Sequence, residues 1–172
     1  MKMPILIAED GENDFLLIQR AFVKAGVDYP LIRTVDGEET IAYLAGEGKY
    51  ADRTKFPVPW LMLLDLKMPK VSGFEVLEWV RMNELARRLL ILVLSSSRQT
   101  IDINRAYDLG ANSYLVKPIE FNRLQELVGV LCRFWGHMSQ KPCLDTEYSS
   151  EFMFQPVPEV APKGRSSGRG SR

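Results

Sequence analysis

Glu9, Asp10 and Asp65 are carboxylates, Ser95 carries a hydroxyl and Lys117 an ammonium, and each ends an apolar run of strand length. The runs are Ile5 to Ala8, Leu61 to Leu64, Leu90 to Leu94 and Tyr114 to Val116. In a parallel α/β sheet the ligand crevice lies outside the carboxyl ends of the strands, so the five side chains are expected to converge there. Carboxylates, a hydroxyl and a cation at one point suit magnesium-assisted phosphoryl transfer. A carboxylate such as Asp65 can attack phosphorus only if the negative charge gathering there is neutralised. Asp10 and Asp65 are the natural direct ligands of Mg2+, with Glu9 binding directly or through water. Lys117 supplies a fixed positive charge that can pair with Asp65 in the empty pocket and with a phosphoryl oxygen afterwards. Pro118 makes the Lys117–Pro118 bond a candidate cis peptide, which would re-aim the lysine. Ser95, the first serine after its run, is best placed to donate its hydroxyl hydrogen to a phosphoryl oxygen; Ser96 and Ser97 beside it would by default cap the next helix. An acid pair at one strand end often only caps a helix. The matching positions of Asp65, Ser95 and Lys117 favour a pocket.

The elements that must position these groups are legible as apolar runs alternating with helical periodicity, five times over. Asn13 or Asp14 can cap a first helix bearing Phe15, Ile18, Ala21, Phe22 and Ala25, which Gly26 stops. Residues 29–35 read as the second strand, and Asp36-Gly37 turns into a short helix over 38–44. Residues 46–59, with Pro57 and Pro59, read as an ordered loop without an element of its own. The turn after Asp65 leads to a helix with Phe74, Val76, Leu77 and Val80. A fourth helix over 101–109 ends near Gly110. The last helix carries Phe121, Leu124, Leu127, Val128, Leu131 and Phe134 on one face. Strands this short and apolar are buried on both sides. The expected fold is therefore a doubly wound, five-stranded parallel sheet with helices on both faces.

Composition bounds the function classes. The 172 residues allow one domain, taken as 1–137, and a tail, 138–172, rich in Pro, Ser and Gly and expected to be disordered. A Phe152-Met153-Phe154 cluster and four basic residues with no acid over 163–172 are the tail's only marked features. A formal net charge of zero and a pI near 6.6 give no global field for nucleic acid or anionic membrane. No signal-peptide segment and no membrane-length apolar stretch is present, so a cytoplasmic location is expected. Cys132 and Cys143 have no metal or disulfide spacing, and His137, the single histidine, reads as a solvated residue after the last helix.

In this order these residues resemble the receiver domain of two-component response regulators, over about residues 3–136. The matches are the acidic pair, Leu64-Asp65-Leu66-Lys67-Met68-Pro69 with Gly73, Leu94-Ser95-Ser96, and Tyr114-Leu115-Val116-Lys117-Pro118. Finer features are similar to the single-domain regulators associated with bacterial phytochrome-type kinases: the Glu9-Asp10 order, Asp36-Gly37-Glu38-Glu39 with Tyr43-Leu44, Ala106-Tyr107, residues 110–114, and Phe134-Trp135. The resemblance implies a flavodoxin-like fold and a sensor histidine kinase that donates phosphate to Asp65. It also implies Mg2+ on Glu9, Asp10, Asp65 and the Lys67 backbone carbonyl, and a switch pair of Ser95 and Tyr114. Output would pass to a partner or a second copy of the chain, without direct DNA binding, and Phe134 and Trp135 either mark the reading face or pack the helix end onto the core. Three positions depart from the commoner pattern: Glu9 for aspartate, Ser95 for threonine, and Lys67 at the pocket mouth. Two other readings compete. A haloacid-dehalogenase-type phosphatase needs a second aspartate two residues after its nucleophile, where this chain has Lys67. A pseudo-receiver would bind partners without accepting phosphate, although the acceptor, the metal acid, the hydroxyl and the lysine are all present.

Overall fold

The computed structural model describes residues 3–84 and 86–140. Cys143, the Phe152-Met153-Phe154 cluster and the basic end of the chain lie outside them. Five parallel strands, β1 (Ile5–Ala8), β2 (Leu31–Thr34), β3 (Leu61–Leu64), β4 (Leu90–Ser95) and β5 (Ser113–Val116), form one sheet in the order β2-β1-β3-β4-β5. Between them run α1 (Glu12–Lys24), α2 (Gly37–Ala45), α3 (Gly73–Met82) and α4 (Thr100–Asp108), and α5 (Phe121–Arg133) closes the fold.

The two-residue period of the strands divides the core in two. Leu6, Ala8, Met62, Leu64, Ile91 and Val93 point to one face and pack with Tyr43 of α2, Val76 and Leu77 of α3, and Ala106 of α4. Ile5, Ile7, Leu61, Leu63, Leu90, Leu92 and Leu94 point to the other, against Ile18 and Phe22 of α1 and Leu124 and Val128 of α5. Helices therefore cover both faces, as the apolar runs required. β1, β3 and β4 are buried throughout, whereas the edge strands β2 and β5 are mostly half-buried, because each has a sheet neighbour on one side only.

Several element boundaries differ from the sequence expectation for local reasons. Gly11 occupies the N-cap of α1, so Asn13 and Asp14 fall inside its first turn. β2 is shorter than 29–35, spanning Leu31–Thr34. The 46–59 connection contains one 3-10 turn, Gly48–Tyr50. It is pinned by Arg53, which donates to the carbonyls of Tyr43 and Leu44 at the end of α2, both at 2.8 Å. Tyr43, Tyr50 and Phe56 stack edge to face beneath it. After α5 the chain continues into a π-helical turn, Phe134–Met138, so exposed His137 lies within a helical turn rather than beyond the last helix. The aromatic pair divides: Trp135 packs on the second core cluster, while Phe134 stays 51% exposed.

Two loops at the carboxyl edge of the sheet lock together. Asp36 caps α2 by accepting from Glu39 N–H at 2.7 Å, and its other oxygen takes the Lys70 ammonium at 2.7 Å. Burial alone would raise the Asp36 pKa. Its hydrogen bonds to Lys70 and the Glu39 N–H hold it below the ordinary value. Lys70 adopts a left-handed φ of 62°, a conformation that costs a side-chain-bearing residue energy and that this ion pair helps to hold. Beyond it, Ser72 and Glu75 form a capping box that starts α3.

Gly73 opens α3 against the backbone of Asp65. A Cβ there would collide with the Asp65 carbonyl oxygen and stand 2.7 Å from Leu66 Cα. Gly73→Ala is therefore expected to force the loop after β3 aside and to cost about 1–3 kcal/mol as an overpacked site. A lowered urea midpoint with unchanged slope checks this; an unchanged midpoint would show that the loop yields freely.

Candidate phosphoryl-acceptor site

Backbone pairing carries each strand's register one residue past its end, into the site. Glu9 N–H donates to Thr34 O at 3.0 Å, Asp65 N–H to Ala8 O at 3.0 Å, and Lys117 N–H to Ser95 O at 2.8 Å. The sheet thus places Glu9, Asp65 and Lys117 along one edge, at the point between β1 and β3 where the strand order reverses. Glu9, Asp10 and Asp65 each offer a carboxylate oxygen within 4.8 Å of the others. Asp10 is exposed, whereas Glu9 and Asp65 are 3% and 7% exposed.

Lys117 is the counter-charge. Its Nζ lies 2.6 Å from Glu9 Oε2, 2.6 Å from Asp65 Oδ2 and 2.9 Å from Asp14 Oδ2. Burial works against the ammonium. Its hydrogen bonds to Asp65, Glu9 and Asp14 outweigh that and hold the lysine pKa above its ordinary 10.5. Burial pushes Glu9 above its ordinary 4.5, and the nearby charges of Asp65 and Asp14 add to this, with Lys117 offsetting only part. One ammonium shared among several carboxylates leaves the site short of positive charge. Three clustered oxygen donors of this kind fit a hard divalent cation.

The Lys117–Pro118 bond is trans, contrary to the expectation for Pro118; no cis peptide occurs among the described residues. From this trans bond the lysine reaches Glu9 and Asp65. Exposed Lys67 stands at the pocket mouth, and its N–H donates to Asp65 Oδ1 at 3.2 Å.

Ser95 is buried at the end of β4, where its Oγ accepts from Ser97 N–H at 3.3 Å. Tyr114, half-buried on β5, donates its hydroxyl to the Ser97 carbonyl at 3.0 Å. The Ser97 Oγ donates to Asp102 Oδ2 at 2.5 Å and accepts from Gln99 N–H at 3.3 Å, which fixes the start of α4. Gln99, not Ser96 or Ser97, is the N-cap of α4 and no side chain caps it, so the capping expected of these serines does not occur; Ser97 instead joins Ser95 and Tyr114 through its backbone.

Two residues of the site were not identified from the sequence. Arg33, on β2, donates to Glu9 O at 3.0 Å, Asp10 O at 2.8 Å and Glu12 Oε2 at 2.8 Å, and so clamps the loop that carries the acid pair. A lone cation inside an apolar edge strand was the available signal. The sequence marks Asp14 only as a candidate cap. Its spacing of four from Asp10, one helical turn, could have marked it as facing back toward the site.

A doubly wound sheet whose switch-point edge gathers three carboxylates and a lysine defines a receiver-type phosphoryl site. The chain belongs to the response regulator receiver domain family, which it matches over residues 5–129. It is 34% identical over 141 residues to the probable methanogenesis regulatory protein FilR2 of Methanothrix harundinacea, covering 80% of this chain and 86% of that one. It is also 34% identical over 131 residues to response regulator Rcp1 of Synechocystis, covering 76% and 87% respectively. A solved structure of the Mn2+-bound form of Rcp1 matches with a TM-score of 0.74 over 82% of this chain and 99% of that one, at 33% identity. The phosphorylated cyanobacterial phytochrome response regulator RcpA matches with a TM-score of 0.77 at 34% identity, over 83% of this chain and all of that one. The chain is thus a response regulator receiver of two-component signalling, similar to the phytochrome-associated regulators. Among the described residues no helix is long and apolar enough to cross a membrane.

Proposed function

We propose that Asp65 accepts a phosphoryl group from a sensor histidine kinase, and that residues 1–137 form the receiver unit that does so. The observation that carries this reading is the 2.6 Å ion pair of buried Asp65 with Lys117, beside the Glu9 and Asp10 carboxylates. An Asp65 carboxylate oxygen forms the new O–P bond as the P–N bond to the kinase imidazole breaks, and the bonding pair leaves with that nitrogen. Lys117 holds charge at the reacting oxygens, and Arg33 keeps the acid loop in place. Glu9, Asp10, Asp65 and the Lys67 carbonyl would hold Mg2+, which when bound would neutralise charge on the phosphoryl oxygens. Ser95 would then donate its O–H to a phosphoryl oxygen, and any movement of its Oγ toward that oxygen would pull on the N–H of Ser97 that it accepts. Tyr114 is tied to the same Ser97, so the α4–β5–α5 surface is coupled to the event.

The similarity to the phytochrome response regulator RcpA supports a phytochrome-type kinase as donor. A protein of this kind signals rather than turning over an external substrate, and the modified face is read by another chain, a second copy of itself included. The experiment is intact-mass analysis after acetyl phosphate treatment, with and without Mg2+. One added phosphoryl group that requires the cation is the expected result, and no added mass would support the pseudo-receiver reading. Light scattering with a beryllofluoride mimic then separates self-association from reading by a different protein.

A further inference from the structure

An ammonium has three N–H groups. Lys117 spends them on Glu9 Oε2, Asp65 Oδ2 and Asp14 Oδ2. If an anionic phosphoryl donor is to gain a contact from this lysine while Asp65 is still a free carboxylate, one of the three must be exchanged for it. The partners are not equivalent. Glu9 and Asp65 are almost wholly buried, and a buried carboxylate that loses its counter-ion bears a large desolvation cost. Asp14 is 49% exposed and makes the longest of the three contacts. Water can solvate it when the lysine leaves. Its place in the first turn of α1 also sets its charge against the positive end of the helix dipole.

We propose that Asp14 is the exchange partner of Lys117: it holds the third ammonium N–H before phosphorylation and yields it to a phosphoryl oxygen. Asp14 is a positioning residue, acting through the lysine, and its charge sets how readily the site captures an anionic donor. This rests on the phosphoryl-accepting reading of Asp65.

The rate constant for phosphoryl uptake from acetyl phosphate in Mg2+, followed by intact mass, tests it in a double-mutant cycle. An amide competes for the ammonium less well than a carboxylate, so Asp14→Asn is expected to speed uptake about two- to fivefold, the range of one partly exposed ion pair. In a Lys117→Met background the same change is expected to lose most of that gain. A structural role for Asp14 would not produce this coupling. Slower or unchanged uptake in Asp14→Asn overturns the proposal, and so does an equal acceleration without Lys117, which would reveal charge acting through space. Wild-type uptake is measured first. No uptake at all would mean that the Asp65 reading has failed, whereas uptake indifferent to Asp14 would remove only this proposal.

Discussion

Asp65→Asn is expected to abolish phosphoryl uptake while leaving the fold intact. Asparagine keeps the shape of the side chain and an oxygen for the Lys67 N–H, which Asp65 Oδ1 now accepts at 3.2 Å. What it removes is the anionic nucleophile. It also removes one of three carboxylates clustered within 4.8 Å, so Glu9 loses a like charge that pushes its pKa up. The urea midpoint at neutral pH is accordingly expected not to fall, which separates a chemical loss from an unfolded protein. The decisive measurement is the mass spectrum after acetyl phosphate and Mg2+, in which the variant shows only background. Full labelling of the variant would move the acceptor to another carboxylate.

Lys117→Met is expected to be the most destabilising single change in the site. It leaves Glu9 and Asp65 buried without the ammonium that lies 2.6 Å from each, a situation that typically costs about 3 kcal/mol or more. The pH dependence follows from Glu9. A carboxyl whose folded pKa is raised contributes stability that is complete below its ordinary 4.5 and is lost as pH rises through the folded value. Both influences of Lys117 on Glu9 lower that value, so it climbs further in the variant. The deficit relative to wild type is therefore largest near neutral pH and shrinks as Glu9 protonates in acid. A divalent cation can replace the missing charge, so Mg2+ is expected to raise the variant's urea midpoint more than that of wild type. A deficit independent of both pH and Mg2+ would show that the lysine serves through its packing.

How much of the fold and site is legible in the residues depends on how local each determinant is. That Asp65 and Lys117 end strands could be read directly, because a short apolar run fixes a buried strand and the first polar residue fixes its end. The parallel sheet with helices on both faces followed from the same runs, and the two core clusters alternate residue by residue along β1, β3 and β4. The trans Lys117–Pro118 bond was not readable, since proline permits either isomer and only the packed site selects one. Arg33 and Asp14 were missed because their partners lie across the sheet edge. Partners 24 residues away, at Glu9, and 103 residues away, at Lys117, do not show in the local pattern, where only Asp14's spacing of four from Asp10 hints at the site. The sequence by itself determined which groups reach the carboxyl edge of the sheet. Only the tertiary structure decided how one ammonium is shared among Glu9, Asp65 and Asp14, because that division depends on distance and burial across three elements distant in the chain.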